Sequence, residues 1–208
     1  MNNLYKSILI LPIFIIGCVP NIIEEKKDFA KEINNLDLNI FSNNGKKNFS
    51  ISSPYSIYDN FKNNFQFKKT TINIYQDDKI KYIIDSDESS LSRNNKVLEL
   101  QGNVKLKTIN QDEDYLFADN FIWNIDEGNY LLTGNIKFEN KNVILKSGKA
   151  KLASNNIIEF FNPVKYIIKD ENNEKRYETN SENAYYDMNN ESLSFSSKSK
   201  RVSSKIYF

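Results

Sequence analysis

The chain has 208 residues, with 28 Lys plus Arg against 27 Asp plus Glu and a formal net charge of +1. So even a balance gives no electrostatic case for nucleic acid as a partner. Histidine is absent, which removes the commonest metal ligand and the commonest general base at neutral pH.

Met1 to Ser7 is polar with one positive charge at Lys6, Ile8 to Ile16 is apolar apart from Pro12, and Gly17 and Cys18 follow. A charged head, a short apolar stretch and a small residue at the cut make a secretory signal. The run is about half of the ~20 residues that a bilayer-spanning helix needs. Ile15-Ile16-Gly17-Cys18 resembles the lipobox of bacterial lipoproteins. That resemblance implies cleavage after Gly17 and a lipid on Cys18, whose thiolate is the nucleophile such chemistry uses. Two acyl chains give stable membrane attachment where one is marginal. Cys18 is the one cysteine, so the remainder has neither a disulfide nor thiolate chemistry. Residues 1–17 are therefore expected to be a signal peptide.

Residues 18–50 read as a tether. Asn21 to Leu38 carries the run Glu24-Glu25-Lys26-Lys27-Asp28 and places Phe29, Ile33 and Leu36 on one helical stripe, which predicts a short helix. Ser42 to Asn48 is polar and turn-rich.

Residues 51–208 are expected to be one all-β domain. Gly and Pro number only 6 and 4, while Tyr and Phe number 12 and 14, and aromatic and β-branched residues favour strands. Ile72 and Ile74 alternate with Asn73 and Tyr75. Leu98, Leu100, Val104 and Leu106 share one parity, with Glu99, Gln101, Lys105 and Lys107 on the other. Tyr115, Phe117, Phe121 and Trp123 continue the alternation, as do Leu132, Ile136 and Phe138, then Val164 and Tyr166. That is the period of half-buried strands. Turn signals separate them at Ser92–Asn95, Asn110–Asp112, Asp126–Asn129, Glu139–Asn142, Asn155–Asn156, Glu171–Asn173 and Met188–Asn190.

One strand repeats. Leu100-Gln101-Gly102-Asn103-Val104-Lys105-Leu106 recurs as Leu132-Thr133-Gly134-Asn135-Ile136-Lys137-Phe138, and in degenerate form as Phe160-Phe161-Asn162-Pro163-Val164-Lys165-Tyr166. Self-similarity at this period signals stacked units that bury a continuous core only together. A glycine on the apolar parity marks a bulge or bend.

The repeated Leu-x-Gly-Asn-Val strand, with Phe117-Ala118-Asp119-Asn120-Phe121 and Ser181-Glu182-Asn183-Ala184-Tyr185 as its companion element, resembles the lipopolysaccharide-export proteins of the LptC, LptA and OstA type over roughly residues 65–208. The single N-terminal anchor favours the LptC branch, although a lipobox replaces its usual transmembrane helix. Val19 stands where some bacteria use aspartate to retain lipoproteins at the inner membrane. The resemblance implies an open twisted β-jellyroll of stacked antiparallel V-shaped strands whose apolar groove shields the acyl chains of lipopolysaccharide. The groove candidates are Ile72, Ile74, Ile84, Leu98, Leu100, Val104, Leu106, Phe117, Phe121, Trp123, Leu132, Ile136, Phe138, Val164 and Tyr166. The implied partners are lipopolysaccharide, an LptB–LptF–LptG-type ABC transporter, an LptA-like protein joined through edge strands, and the membrane through the lipid anchor. The candidate edges are Ser50–Tyr58 and Phe195–Phe208, the latter carrying the basic run Lys198, Lys200 and Arg201. The alternative is a structural β-rich envelope lipoprotein without a lipid ligand.

No enzyme, cofactor or metal is expected. The acidic clusters Asp77-Asp78, Asp85-Ser86-Asp87-Glu88 and Asp112-Glu113-Asp114 fall between or just after strands and lack the EF-hand spacing.

Overall fold

The computed structural model describes residues 30–208 apart from 43, 93, 95, 110–113, 153–156, 188, 189 and 191. The expected signal peptide with Cys18, Phe29, the turns at Asn110–Asp112 and Asn155–Asn156, and Asp112-Glu113 of the third acidic cluster lie outside the described residues.

Among the described residues twelve strands follow one another: β1 (Ala30–Phe41), β2 (Lys47–Asp59), β3 (Asn64–Gln76), β4 (Lys79–Ser92), β5 (Val97–Thr108), β6 (Tyr115–Asn124), β7 (Asn129–Asn140), β8 (Val143–Leu152), β9 (Ile157–Lys169), β10 (Lys175–Asp187), β11 (Ser192–Ser196) and β12 (Ser203–Ile206). They form one antiparallel sheet in which β1 to β11 pair in chain order and β12 also pairs with β10. Short turns make this order possible. Asp77 and Asp78, at φ 50° and 60°, are a two-residue link between β3 and β4 of the kind that matches strand twist.

The long strands turn a corner near the middle, where β5, β7 and β9 keep their inward parity and the others change it. Inward residues are three apart across the change at Ser53/Ser56, Phe67/Thr70, Ser86/Ser89, Ala118/Phe121, Ser147/Ala150 and Ser181/Ala184. They are four apart at Leu100/Val104, Leu132/Ile136 and Phe160/Val164. The register shifts fall at these same places, between Gln101 and Val104, between Phe117 and Asn120, and between Thr133 and Ile136. An extra residue on one strand of a pair is a β-bulge, which bends the strand and strengthens its twist. Stacked bulges from the β4–β5 pair to the β9–β10 pair bend these strands into Vs and turn the sheet into two arms facing each other.

Contacts between rings fix the arms across the gap. Phe49 on β2 lies 5.0 Å from Trp123 on β6, and Phe138 on β7 lies 6.4 Å from Tyr186 on β10. Each pair joins strands that are not hydrogen-bonded neighbours, so the sheet is folded over itself.

Two expectations are corrected. The short helix predicted through Leu38 is, over its described part, strand β1. Leu36, Leu38 and Ile40 lie opposite Ser53, Ile51 and Phe49 at period two. Ile33 and Leu36 are three apart because the chain turns its corner at Asn35, φ 53°, and that spacing imitates a helical stripe. Among the described residues the sheet therefore starts at Ala30, not Ile51, and its edge strand is β1, whereas Ser50–Tyr58 is paired on both sides within β2. At the other end the expected edge is present in two pieces, β11 and β12. The bend between them is tied by Glu182, whose carboxylate accepts from the Lys198 and Ser199 backbone N–H groups at 2.7 and 3.3 Å.

Candidate functional site

The interior is built from in-register rows that cross the sheet. On the first arm one row runs Leu38, Ile51, Ile72, Ile84, Leu106, Leu116, Phe138, Leu145, Tyr166 and Thr179, each opposite the next. On the second arm a row runs Ser56, Phe67, Ser89, Leu100, Phe121, Leu132, Ala150, Phe160, Ala184 and Phe195. Beyond it comes Tyr58, Phe65, Leu91, Leu98, Trp123, Tyr130, Leu152, Ile158, Tyr186 and Leu193. Cross-strand apolar pairs are the unit of sheet stability, and here they add up to one slot along the whole sheet.

Burial grades across the slot. Ile51, Ile72, Ile84, Leu91 and Leu98 are fully buried, whereas Leu106, Leu116, Phe138, Tyr130, Tyr166 and Tyr186 are partly buried at its margins. Burial also pushes the Tyr130 and Tyr166 hydroxyls above their usual range, consistent with apolar surroundings.

All the predicted groove residues except Phe117 are in this core. Phe117 points outward between Lys105 and Lys137, with the Lys137 ammonium 5.6 Å from its ring centroid. The parity change at Asp119 puts Leu116 and Ala118 inside instead, so alternation read backward from Phe121 reaches the wrong face.

The glycine of the repeat has a partner that alternation alone does not single out. Gly102 and Asn103 have φ of 76° and 47°, and Gly134 and Asn135 have 74° and 46°. Asn103 Nδ2 donates to Asp87 Oδ2 at 2.7 Å, and Asn135 Nδ2 donates to Asp119 Oδ2 at 2.9 Å. Each Gly-Asn corner is thus latched to an aspartate on the preceding strand. The signal is available in the sequence: Asp87 and Asp119 each precede the asparagine by 16 residues.

The other acidic groups have local roles. Asp85 accepts from the Thr71 hydroxyl at 2.7 Å. Among the described residues no group of three or more His, Cys, Asp or Glu is placed to hold a metal, and no helix is long and apolar enough to cross a membrane.

Among the described residues Glu178 on β10 is the most perturbed carboxylate. Its side chain is only 9% exposed. It accepts from Lys175 Nζ at 2.6 Å and Asn180 Nδ2 at 3.1 Å, with Lys165 Nζ at 3.3 Å, and these hold it down at about 2. A depressed folded-state value stabilises the protein above the ordinary carboxylate range, near 4.5, and that contribution is lost as pH falls from there toward about 2. Denaturation midpoints measured across that window should fall more steeply for the natural chain than for Glu178→Gln. Parallel curves would remove the linkage.

A profile of the family described as "Lipopolysaccharide-assembly, LptC-related" matches residues 23–130, just over half of the chain. The chain belongs to this family. The match begins before β1 and ends in β7, so it contains the first Gly-Asn corner and both partners of the Phe49–Trp123 contact. Membership ties the chain to lipopolysaccharide assembly. No curated protein matches by sequence. Among solved structures, LptH of Pseudomonas aeruginosa is similar. It is described as the LptA-homologous periplasmic component of the lipopolysaccharide transport device. It aligns at 7% identity with a TM-score of 0.43, over 76% of this chain and 94% of that one.

Proposed function

We propose that the slot between the two arms shelters the acyl chains of lipopolysaccharide, and that the chain links an LptB–LptF–LptG-type ABC transporter at the inner membrane to an LptA-like protein. The observation that carries this reading is the continuous, predominantly apolar interior, in which serine and threonine are the buried polar interruptions on the inward rows. It reaches from β1 to β11 and ends, among the described residues, at an open strand edge on each side. Apolar area sheltered from water is worth roughly 25 cal/mol per Å², so acyl chains gain by entering and need no bond chemistry from the protein. The open edges of β1 and of β11 with β12 would accept a partner's strand, a recurring use of an exposed sheet edge. A lipid on Cys18 would hold the β1 end near the membrane.

Margin residues such as Phe138 and Tyr186 are the first that an acyl chain would meet, and their contact would have to part. A photo-crosslinking side chain at Val104, Phe121 or Ile136 is expected to capture lipopolysaccharide. The same group at Gln101, Lys105 or Phe117, all on the outside, is expected to capture none. Failure at all three interior positions would sink the proposal. Trp123 is the one tryptophan and lies in the slot, so its emission should also shift when lipopolysaccharide is added.

A further inference from the structure

The outer face of the first arm carries a row that the slot does not use. Lys105, Phe117, Lys137, Lys146 and Lys165 stand directly opposite one another on β5 to β9. Asp85 on β4 precedes Lys105 at one end of the line, and Asn180 on β10 follows Lys165 at the other. Across the corner, the matching outer row of the second arm is Gln101, Asn120, Thr133, Lys149 and Phe161. A chain of net charge +1 thus concentrates four lysines in one line on one face.

Like charges directly opposite across a strand pair destabilise a sheet. The relief is partial. Lys137 pairs with Glu139 at 2.6 Å, and Lys165 pairs at 3.3 Å with Glu178, which Lys175 shares. Lys146, between them, has no ion-pair partner among the described residues and is exposed. A recess of about 420 Å³ opens among Asn135, Lys137, Lys146, Ser147, Pro163 and Lys165.

Apolar groups accompany the charges on this face. Phe117 is in the row itself. The next outer row runs Lys107, Tyr115, Glu139, Ile144, Ile167 and Glu178, its two carboxylates being those that pair with Lys137 and Lys165, and Lys105 Nζ lies 4.6 Å from the Tyr115 ring centroid. Lysine beside outward aromatic and aliphatic groups is the composition of a surface that lies on a bilayer, where stems and rings sit at headgroup level. Five strands at about 4.8 Å spacing make a line of about 19 Å, too long for one small anion and suited to an extended charged plane.

We propose that this face docks on an anionic phospholipid surface, laying the first arm flat on the membrane and leaving the opposite arm and the slot margins free. The proposal goes beyond the lipopolysaccharide reading and does not depend on it.

The test uses the full chain with vesicles of phosphatidylcholine alone, or of phosphatidylcholine and phosphatidylglycerol in equal parts, with partition read by sedimentation. Preference for the anionic vesicles is expected, falling with added salt. In the combined variant Lys105→Gln, Lys137→Gln, Lys146→Gln, the ratio of anionic to neutral partition should drop about fivefold per lysine, about a hundredfold in all. Arginine at the same three positions should restore it. Neutral-vesicle partition reads the N-terminal apolar segment and should not change. The second-arm variant Lys68→Gln, Lys149→Gln, Lys151→Gln is the control and should keep the ratio. Circular dichroism checks that each variant is folded. No anionic preference in the natural chain, an unchanged ratio in the first triple variant, or an equal drop in the control would each overturn the proposal. Crosslinking of lipopolysaccharide inside the slot is read separately and has no bearing on these outcomes.

Discussion

Trp123→Ala is expected to cost about 3–5 kcal/mol of stability, the range for removing a large buried aromatic from a core. Its indole is only 4% exposed. It touches Tyr130 along its own arm at 5.4 Å and Phe49 on the other arm at 5.0 Å. The first contact is between neighbouring strands, whereas the second is what holds the two arms together. Urea unfolding followed by circular dichroism gives the loss. A double-mutant cycle with Phe49→Ala then isolates the contact across the slot. Aromatic pairs couple by about 0.5–1.5 kcal/mol beyond their area, and residues in contact depart from additivity by that order. A cycle that closes to zero would mean that the arms do not meet in solution. Loosening this contact should also raise lipopolysaccharide capture at Phe121 if the arms must part for an acyl chain, which links the stability measurement to the proposed function.

Much of this arrangement is legible in the sequence because period two is a local property. Leu98, Leu100, Val104 and Leu106 keep one parity through the Gly-Asn corner, since that bulge adds a residue and restores the alternation. The inward set on β5, β7 and β9 can therefore be read directly. The intervening strands cannot be read in the same way. On β6 the inward residues step by three at Ala118/Phe121, so alternation puts Phe117 on the wrong face. On β1 the same step makes Ile33 and Leu36 look like one side of a helix. A step of three is ambiguous in a sequence because a bent strand and a helical turn both produce it, and only the partner strand decides. Partnership is a long-range property: Leu38 is inward because Ile51 is opposite it. The lysine row is hidden for a related reason. Lys105, Lys137 and Lys165 are the same position of the three repeat copies, but Lys146 joins them only through registers with β7 and β9.

Gly134→Ala should be the most damaging substitution at a corner, with an expected loss of about 2–4 kcal/mol from two sources. An alanine at φ +74° adopts a left-handed conformation that costs roughly 1–2 kcal/mol. Its Cβ would also stand 2.8 Å from Asp119 Cβ and 2.9 Å from Cγ. Those atoms are rooted in the β6 backbone and cannot swing aside as a long side chain does. Moving β6 breaks the Asn135–Asp119 hydrogen bond, which is worth more than a neutral one because its acceptor is charged. The size of the effect can be apportioned by comparison. At Gly102 the nearest carbon, Asp87 Cβ, is at 3.1 Å, so alanine there should cost less. At Gly128, φ +63°, nothing lies within 4 Å of the added atom, and only the conformational cost of roughly 1–2 kcal/mol should remain. Thermal or urea midpoints for the three single variants should therefore rank Gly134, Gly102, Gly128 from largest loss to smallest. Adding Asp119→Gly to Gly134→Ala removes the clashing atoms and should cost less than the two changes summed. Strict additivity would mean that the corner is set by backbone preference alone. A shortfall would mean that the Asp119 side chain bears directly on the corner.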